Sequence, residues 1–239
     1  MAKVLGLVMA RNESQLISVS ISHALSNFCD QVIVLVHDST PAFEKEVSQL
    51  SSVWPNRIIF LKLQQKDYQQ KKAMRILCFI AAKLDFDWIY PIDADEFGLS
   101  NNPTEFKEYL DNLDSGITAV RYGIENWISN KDFNSEGYGS FLKINERSIP
   151  KINLNLDAVT MRTEIANGNF NYFDFAFDSK VIFRNRSSFV LGPGAHQLDY
   201  LPADQEREFP KDVFKVAHLP LLSRERLNLR AEQGKKLIQ

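Results

Sequence analysis

The sequence is short of cysteine, of long apolar runs and of excess charge of either sign, and each shortage excludes something. Its two cysteines, Cys29 and Cys78, lie far apart and outside any C-x-x-C spacing. A disulfide scaffold is therefore excluded, and reduced packing thiols in a cytoplasmic setting are expected. No run approaches the ~20 apolar residues that a membrane-spanning helix needs. Lys3 precedes the apolar run Val4 to Ala10 in the manner of a signal peptide. That run is short, and Arg11-Asn12-Glu13 follows it with no small-residue cleavage signal, so a first strand is the better reading. Lys and Arg number 28 against 30 Asp and Glu, a net charge of −2. No overall field then points to nucleic acid, and any basic function is local. Internal repeats, linkers and low-complexity tracts are also missing, and 239 residues suffice for one domain with a substantial core.

What is present is a regular alternation of strand and helix. Val4 to Met9 reads as a strand, followed by a helix marked by Ile17, Ile21, Ala24, Leu25 and Phe28. Gln31 to Val36 is a nearly continuous Val/Ile/Leu run, as expected of a parallel strand covered on both faces. Thr40 and Pro41 read as N-cap and first residue of a helix with Phe43, Val47 and Leu50 on its apolar face. Arg57 to Leu63 makes a third strand. The clearest helical stripe follows, through Ala73, Ile76, Leu77, Ile80, Ala81 and Leu84. This rhythm predicts an α/β fold with a mostly parallel sheet flanked by helices. Beyond residue 97 it changes: a helix starts at Asn102-Pro103-Thr104, a strand is expected over Gly116 to Ile124, and Glu125 to about Phe177 reads as irregular or antiparallel. The final stretch, Ser223 to Gln239, reads as a basic helix with no stop signal, so a chain trimmed at that point is expected.

The chain is organised around Trp88-Ile89-Tyr90-Pro91-Ile92-Asp93-Ala94-Asp95-Glu96-Phe97. An apolar strand ends here in three carboxylates, which need partners if they are buried. Asp93 and Asp95 can both turn toward one hard cation, and oxygen donors suit Mg²⁺ or Mn²⁺ better than zinc. About one D-x-D is expected by chance in a chain this long, so position decides. Asp85-Phe86-Asp87 has the same spacing but precedes the strand and reads as a solvated turn. Asp93 and Asp95 instead stand at a strand's carboxyl end, where open α/β sheets place their ligands. Glu96 either orients a metal ligand or satisfies backbone donors at the turn.

Together with the strand ending in Ala10-Arg11-Asn12-Glu13, the turn Asp38-Ser39-Thr40, Lys180-Val181-Ile182-Phe183-Arg184, Gly192-Pro193-Gly194-Ala195-His196 and His218-Leu219-Pro220, the D-x-D strand resembles the GT-A glycosyltransferases, specifically the family 2-like bacterial enzymes. These features run over nearly the whole chain. One departure is Ser223-Arg224, where such relatives tend to carry Arg-Ser. The resemblance implies a single GT-A-like domain over 1–239, with 1–97 binding the nucleotide and 98–239 the acceptor. It also implies that Arg11 and Asn12 line the nucleotide pocket, that Asp38 accepts a hydrogen bond from the base, and that His218 completes a metal site with Asp93 and Asp95. Asp38 read alone could equally cap the next helix. Arg75, on the helix before the metal strand, either reaches a phosphate or is a solvated helix charge. His196 either meets the substrate or is a surface loop histidine, Gly192 and Gly194 permitting a tight turn beside it.

Sugar transfer from a nucleoside diphosphate needs charge offset on the leaving group, a hold on the nucleotide and a base for the acceptor hydroxyl. No local pattern separates Glu125, Asp157, Glu164, Asp174 and Asp178 as base; Asp178 is preferred because it precedes the Lys180 strand in the acceptor half. The run Phe170, Tyr172, Phe173, Phe175, Phe177 serves either as a sugar platform or as a core strand. The expectation is thus a metal-dependent inverting enzyme using Mn²⁺ or Mg²⁺, a UDP- or GDP-type donor and a glycan or lipid-linked acceptor. Its setting would be cytoplasmic, serving cell-surface polysaccharide synthesis, with the basic C-terminal helix offering peripheral membrane contact. Two alternatives stand: a haloacid-dehalogenase-type D-x-D phosphatase, whose nucleophilic Asp usually lies near the N-terminus, and a non-catalytic nucleotide- or glycan-binding relative.

Overall fold

A computed structural model describes residues 1–11, 16–37, 39–63, 70–128, 146–150, 158–175, 178–186, 191–199 and 201–220. In chain order the elements are β1 (Val4–Ala10), α1 (Ile17–Asn27), β2 (Gln31–His37), α2 (Pro41–Val53), β3 (Ile58–Leu63), α3 (Gln70–Ala81), β4 (Trp88–Ile92), β5 (Glu96–Leu99), α4 (Pro103–Asp111) and β6 (Ala119–Tyr122). There follow β7 (Ile124–Ile128), β8 (Glu146–Arg147), α5 (Ala158–Ala166), β9 (Lys180–Arg184), β10 (Glu206–Glu208) and β11 (Lys215–His218). The chain divides into two compact units, Met1–Ile124 with Ser179–Val216, and Glu125–Asp178 with Ala217–Gln239.

The first unit is built on a seven-stranded sheet of order β10-β6-β9-β4-β1-β2-β3. The pairs β3-β2, β2-β1, β1-β4 and β6-β10 are parallel, and β9 runs antiparallel to both its neighbours, β4 and β6. Alternate residues along the central strands serve opposite faces. Val4, Val8, Val32, Val34 and Val36 join the core that holds Ile17 and Ile21 of α1 and Phe43 and Val47 of α2. Leu5, Leu7, Ile33 and Leu35 join Ala73, Leu77 and Ala81 of α3 on the other face. The double covering explains why β1 and β2 read as unbroken apolar runs. Both expected helix starts hold: Thr40 caps α2 by accepting from the Phe43 N–H at 3.3 Å, and Asn102 caps α4 by accepting from Thr104 N–H at 3.1 Å. Cys29 and Cys78 are buried thiols, as expected.

In the second unit, β7 and β8 pair antiparallel through Trp127↔Arg147 and Ile128↔Glu146. Both belong to a smaller sheet of four short strands. Three expectations need correction. The strand expected over Gly116 to Ile124 begins only at Ala119 and breaks at Gly123. The region beyond Glu125 is not wholly irregular or antiparallel, because α5 lies within it. Its sequence, Ala-Val-Thr-Met-Arg-Thr-Glu-Ile-Ala, carries no one-sided apolar stripe that would announce a helix. The aromatic run is not a strand: Tyr172–Asp174 form a 3-10 turn capped by Asn171, and buried Phe175 meets the partly exposed Phe170 edge to face at 5.6 Å. Phe177, Asp157 and the basic segment 223–239 lie outside the described residues, as does any membrane contact made through that segment. Among the described residues no helix is long and apolar enough to cross a membrane.

Candidate functional site

The strand order locates the site. From β1 the chain lays β2 and β3 on one side and then returns to place β4 on the other, so the order reverses between β1 and β4. At such a switch point the connections diverge, and a crevice opens outside the carboxyl ends of the two strands. The register Val8↔Ile92 ends β4 two residues short of the end of β1. Arg11, half-buried, and Asp93 thus follow neighbouring strands at the same edge of the sheet.

The D-x-D turn closes on itself. The Glu96 N–H donates to the Asp93 carbonyl at 3.0 Å, and the Asp93 N–H donates to Glu96 Oε2 at 3.3 Å. Asp95 and Glu96 are buried, at 4% and 3% exposure. Carboxylates so close together in buried surroundings repel one another and need a counter-charge. Lys180 supplies it, with Nζ 2.5 Å from Asp93 Oδ2 and 2.6 Å from Glu96 Oε1. The antiparallel run of β9 is what makes this meeting possible. Its register with β4, Ile89↔Phe183, continued along both strands, brings Lys180 level with Ile92. Lys180 thus starts its strand where Asp93 leaves β4. Burial alone would push its pKa down, but Asp93 and Glu96 push it up further, so the ammonium stays charged well beyond neutral pH. Stripping water from Lys180 and Glu96 costs several kcal/mol per ion, which offsets much of the attraction between them.

Sequence reading missed Lys180. It stood in a recognised run without a role, although a lysine opening the apolar strand Val-Ile-Phe is a charge that demands a buried partner. Glu96 accepts a backbone donor at the turn, as one of its two readings had it, and its other oxygen meets Lys180. The control pair behaves as a turn should: Asp85 is solvated and pairs with Lys3 at 2.6 Å, while Asp87 accepts from the Lys3 N–H at 2.7 Å.

His196 is held from several sides. Its Nδ1 lies 3.2 Å from the Ser179 carbonyl, and Arg121 Nη1 donates to its own carbonyl at 2.8 Å. Arg121 also pairs with Glu206. Gly194 has φ +64°, and a Cβ on it would stand 2.8 Å from His196 Nε2. Since Ser179 precedes Lys180, the start of β9 organises both the D-x-D turn and the His196 loop. Arg75 is exposed on α3. Asp178 is exposed and belongs to the second unit, two residues before Lys180. His218 also belongs to that unit; its Nδ1 lies 2.9 Å from Asn126 Oδ1, an acceptor, so the neutral ring carries its lone pair on Nε2. Asn12 and Asp38 lie outside the described residues. Thr40 supplies the α2 cap.

Asp93 and Asp95 are hard oxygen donors suited to Mn²⁺ or Mg²⁺. Among the described residues no group of three or more His, Cys, Asp or Glu is placed to hold a metal ion. That is compatible with a nucleotide site, where Mg²⁺ is held by one or two carboxylates together with substrate phosphates.

Solved structures similar to this chain are GT-A glycosyltransferases. One is a mannosyltransferase of Pyrobaculum calidifontis in complex with GDP-Man and Mn²⁺, at 16% identity over 51% of this chain and 35% of that one, with a TM-score of 0.42. Another is glucosyl-3-phosphoglycerate synthase of Mycobacterium tuberculosis in complex with Mn²⁺, UDP and phosphoglyceric acid, at 18% identity over 52% and 43%, with a TM-score of 0.37. A third is residues 1–349 of TarS from S. aureus, at 13% identity over 95% and 64%, with a TM-score of 0.49. The chain spans less than two thirds of each. Neither a protein-family model nor a curated protein matches the sequence.

Proposed function

We propose that this protein is a glycosyltransferase that moves a sugar from a UDP- or GDP-type donor to a hydroxyl of a glycan or lipid-linked acceptor, inverting the anomeric centre. The observation that carries the reading is the carboxylate turn Asp93-Ala94-Asp95-Glu96 at the carboxyl end of β4, beside the end of β1, at the sheet's switch point. Arg11 supplies a cation from the neighbouring strand end for the donor phosphates. Asn12 and Asp38 are assigned to the nucleoside, Arg75 to a phosphate and His196 to the donor sugar. Asp93 and Asp95 would hold Mn²⁺ or Mg²⁺, with His218 as a further ligand through Nε2, the tautomer that its bond to Asn126 favours. A bound divalent cation would offset the charge on the leaving diphosphate.

In the transfer, the acceptor oxygen attacks the anomeric carbon while its proton passes to the base, assigned to Asp178. The bond from that carbon to the diphosphate oxygen breaks, and the diphosphate leaves with the electron pair. Attack opposite the leaving group inverts the centre. The setting that fits a sugar transferase of this kind is synthesis of cell-surface polysaccharide.

Thermal melting with UDP, GDP, CDP and dTDP, each with and without Mn²⁺, tests the reading. One diphosphate at about 100-fold above its Kd should stabilise the protein by about 2.7 kcal/mol, and more with Mn²⁺ than without. No shift with any of them, together with phosphate release from small phosphoesters, would point to the phosphatase alternative instead.

A further inference from the structure

We propose that Lys180 is a positioning residue of the D-x-D turn: its ammonium ties Asp93 to Glu96 and so sets the direction in which Asp93 presents its carboxylate to a cation-bound diphosphate. The inference rests on the nucleotide-sugar reading above and goes beyond it in naming what orders the site.

Three contacts form a closed ring. The Asp93 N–H donates to one oxygen of Glu96, the other oxygen of Glu96 meets Lys180, and Lys180 returns to the carboxylate of Asp93. Backbone and side chain of Asp93 are thereby fixed by the same two residues. Exposure separates the members: the side chains of Lys180 and Glu96 are 4% and 2% exposed, that of Asp93 47%. Neutralising buried Glu96 alone would account for a buried lysine. The bond to Asp93 needs another account, because water can solvate a half-exposed carboxylate without help. A buried ion pair adds little stability over an apolar pair of the same volume, whereas it does fix direction. Only Oδ2 of Asp93 is used by Lys180, so the lysine fixes the direction of this half-exposed carboxylate without engaging its Oδ1. The lysine itself is anchored at the first residue of β9, a strand paired on both sides.

Lys180→Met, the double variant Lys180→Met/Glu96→Gln and Lys180→Arg separate positioning from support. Mn²⁺ is titrated by its electron paramagnetic resonance signal with UDP and with GDP, and melting is recorded without metal. Lys180→Met should melt early. In the double variant the amide that replaces the Glu96 carboxylate leaves no charge stranded at position 96, and its oxygen can still accept from the Asp93 N–H. Melting should therefore return close to that of the natural protein. Mn²⁺ affinity in the presence of the diphosphate should nevertheless stay about 10–100-fold weaker, the size of effect seen when the partner of a metal ligand is lost. Lys180→Arg, which keeps a cation between the two acids, should recover most of that affinity. If the double variant melts normally and binds Mn²⁺ and diphosphate as the natural protein does, Lys180 is only a counter-charge and the proposal is wrong. Should the double variant fail to fold, a folded Lys180→Arg chain that binds no better than Lys180→Met overturns it equally. A natural protein that binds no diphosphate at all removes the reading beneath, which is a different and separately visible failure.

Discussion

Gly194 shows how much a single residue decides at this site. Its φ of +64° is one that a side chain rarely adopts, and an added Cβ would stand 2.7 Å from Cδ2 and 2.8 Å from Nε2 of His196. Backbone strain and the clash act together, so Gly194→Ala should lower the unfolding free energy by about 1–3 kcal/mol and displace the imidazole. Urea denaturation gives the first quantity, and the His196 ring resonances report the second. Unchanged ring resonances would mean that the loop does not depend on Gly194. Sequence reading could see that Gly192 and Gly194 permit a tight turn. It could not see the imidazole lying against Gly194, since the loop is held by Arg121 of β6 and by Ser179, the residue before β9.

At the scale of elements, legibility follows burial pattern. α3 is plain in the sequence because Ala73, Leu77 and Ala81 repeat on one face and pack on the sheet. Cys78 lies on the same buried side, and burial raises its thiol from 9.0 to about 11, against a smaller lowering by a backbone hydrogen bond. Two consequences follow. At pH 8 the native protein should hold roughly a hundredfold less Cys78 thiolate than the unfolded chain, so alkylation should be slow until urea is added. The raised value also links to stability: the unfolded chain loses its thiol proton first, so the contribution is present in full below about pH 9 and is lost as pH rises toward 11. Alkylation of native protein at the unfolded rate would contradict the burial. α5 is illegible for the converse reason, because it has no apolar stripe.

Across the molecule, the fold class and the carboxylate turn were both open to sequence reading, while the proposed base was not. Asp178 is solvent-exposed and begins no regular element, so nothing local distinguishes it from other turn carboxylates. Its assignment as base is tested by Asp178→Asn, which keeps size and removes the proton acceptor. Turnover should fall by about 10²–10⁴ while nucleotide affinity stays nearly constant. Near-normal turnover in steady-state assays would eliminate Asp178 and move attention to Glu125, which is paired with Arg147 at 2.9 Å.

The sequence by itself determined the alternation of strands and helices through residue 97, the caps at Thr40 and Asn102, the burial of both cysteines and the placing of Asp93 and Asp95 at a strand's carboxyl end. These follow from periodicity and from the preferences of single residues, which act over a turn of helix or a few residues of strand. Tertiary structure alone decided what stands beside that strand end. β4 lies between β1, parallel, and β9, antiparallel. Lys180 reaches Asp93 across 87 residues of chain because β9 runs the opposite way to β4. Strand neighbours and their direction are chosen by how all the apolar faces of the chain cover one another at once. A charge at the start of an apolar strand therefore announces that it has a partner, and only the folded sheet says which one.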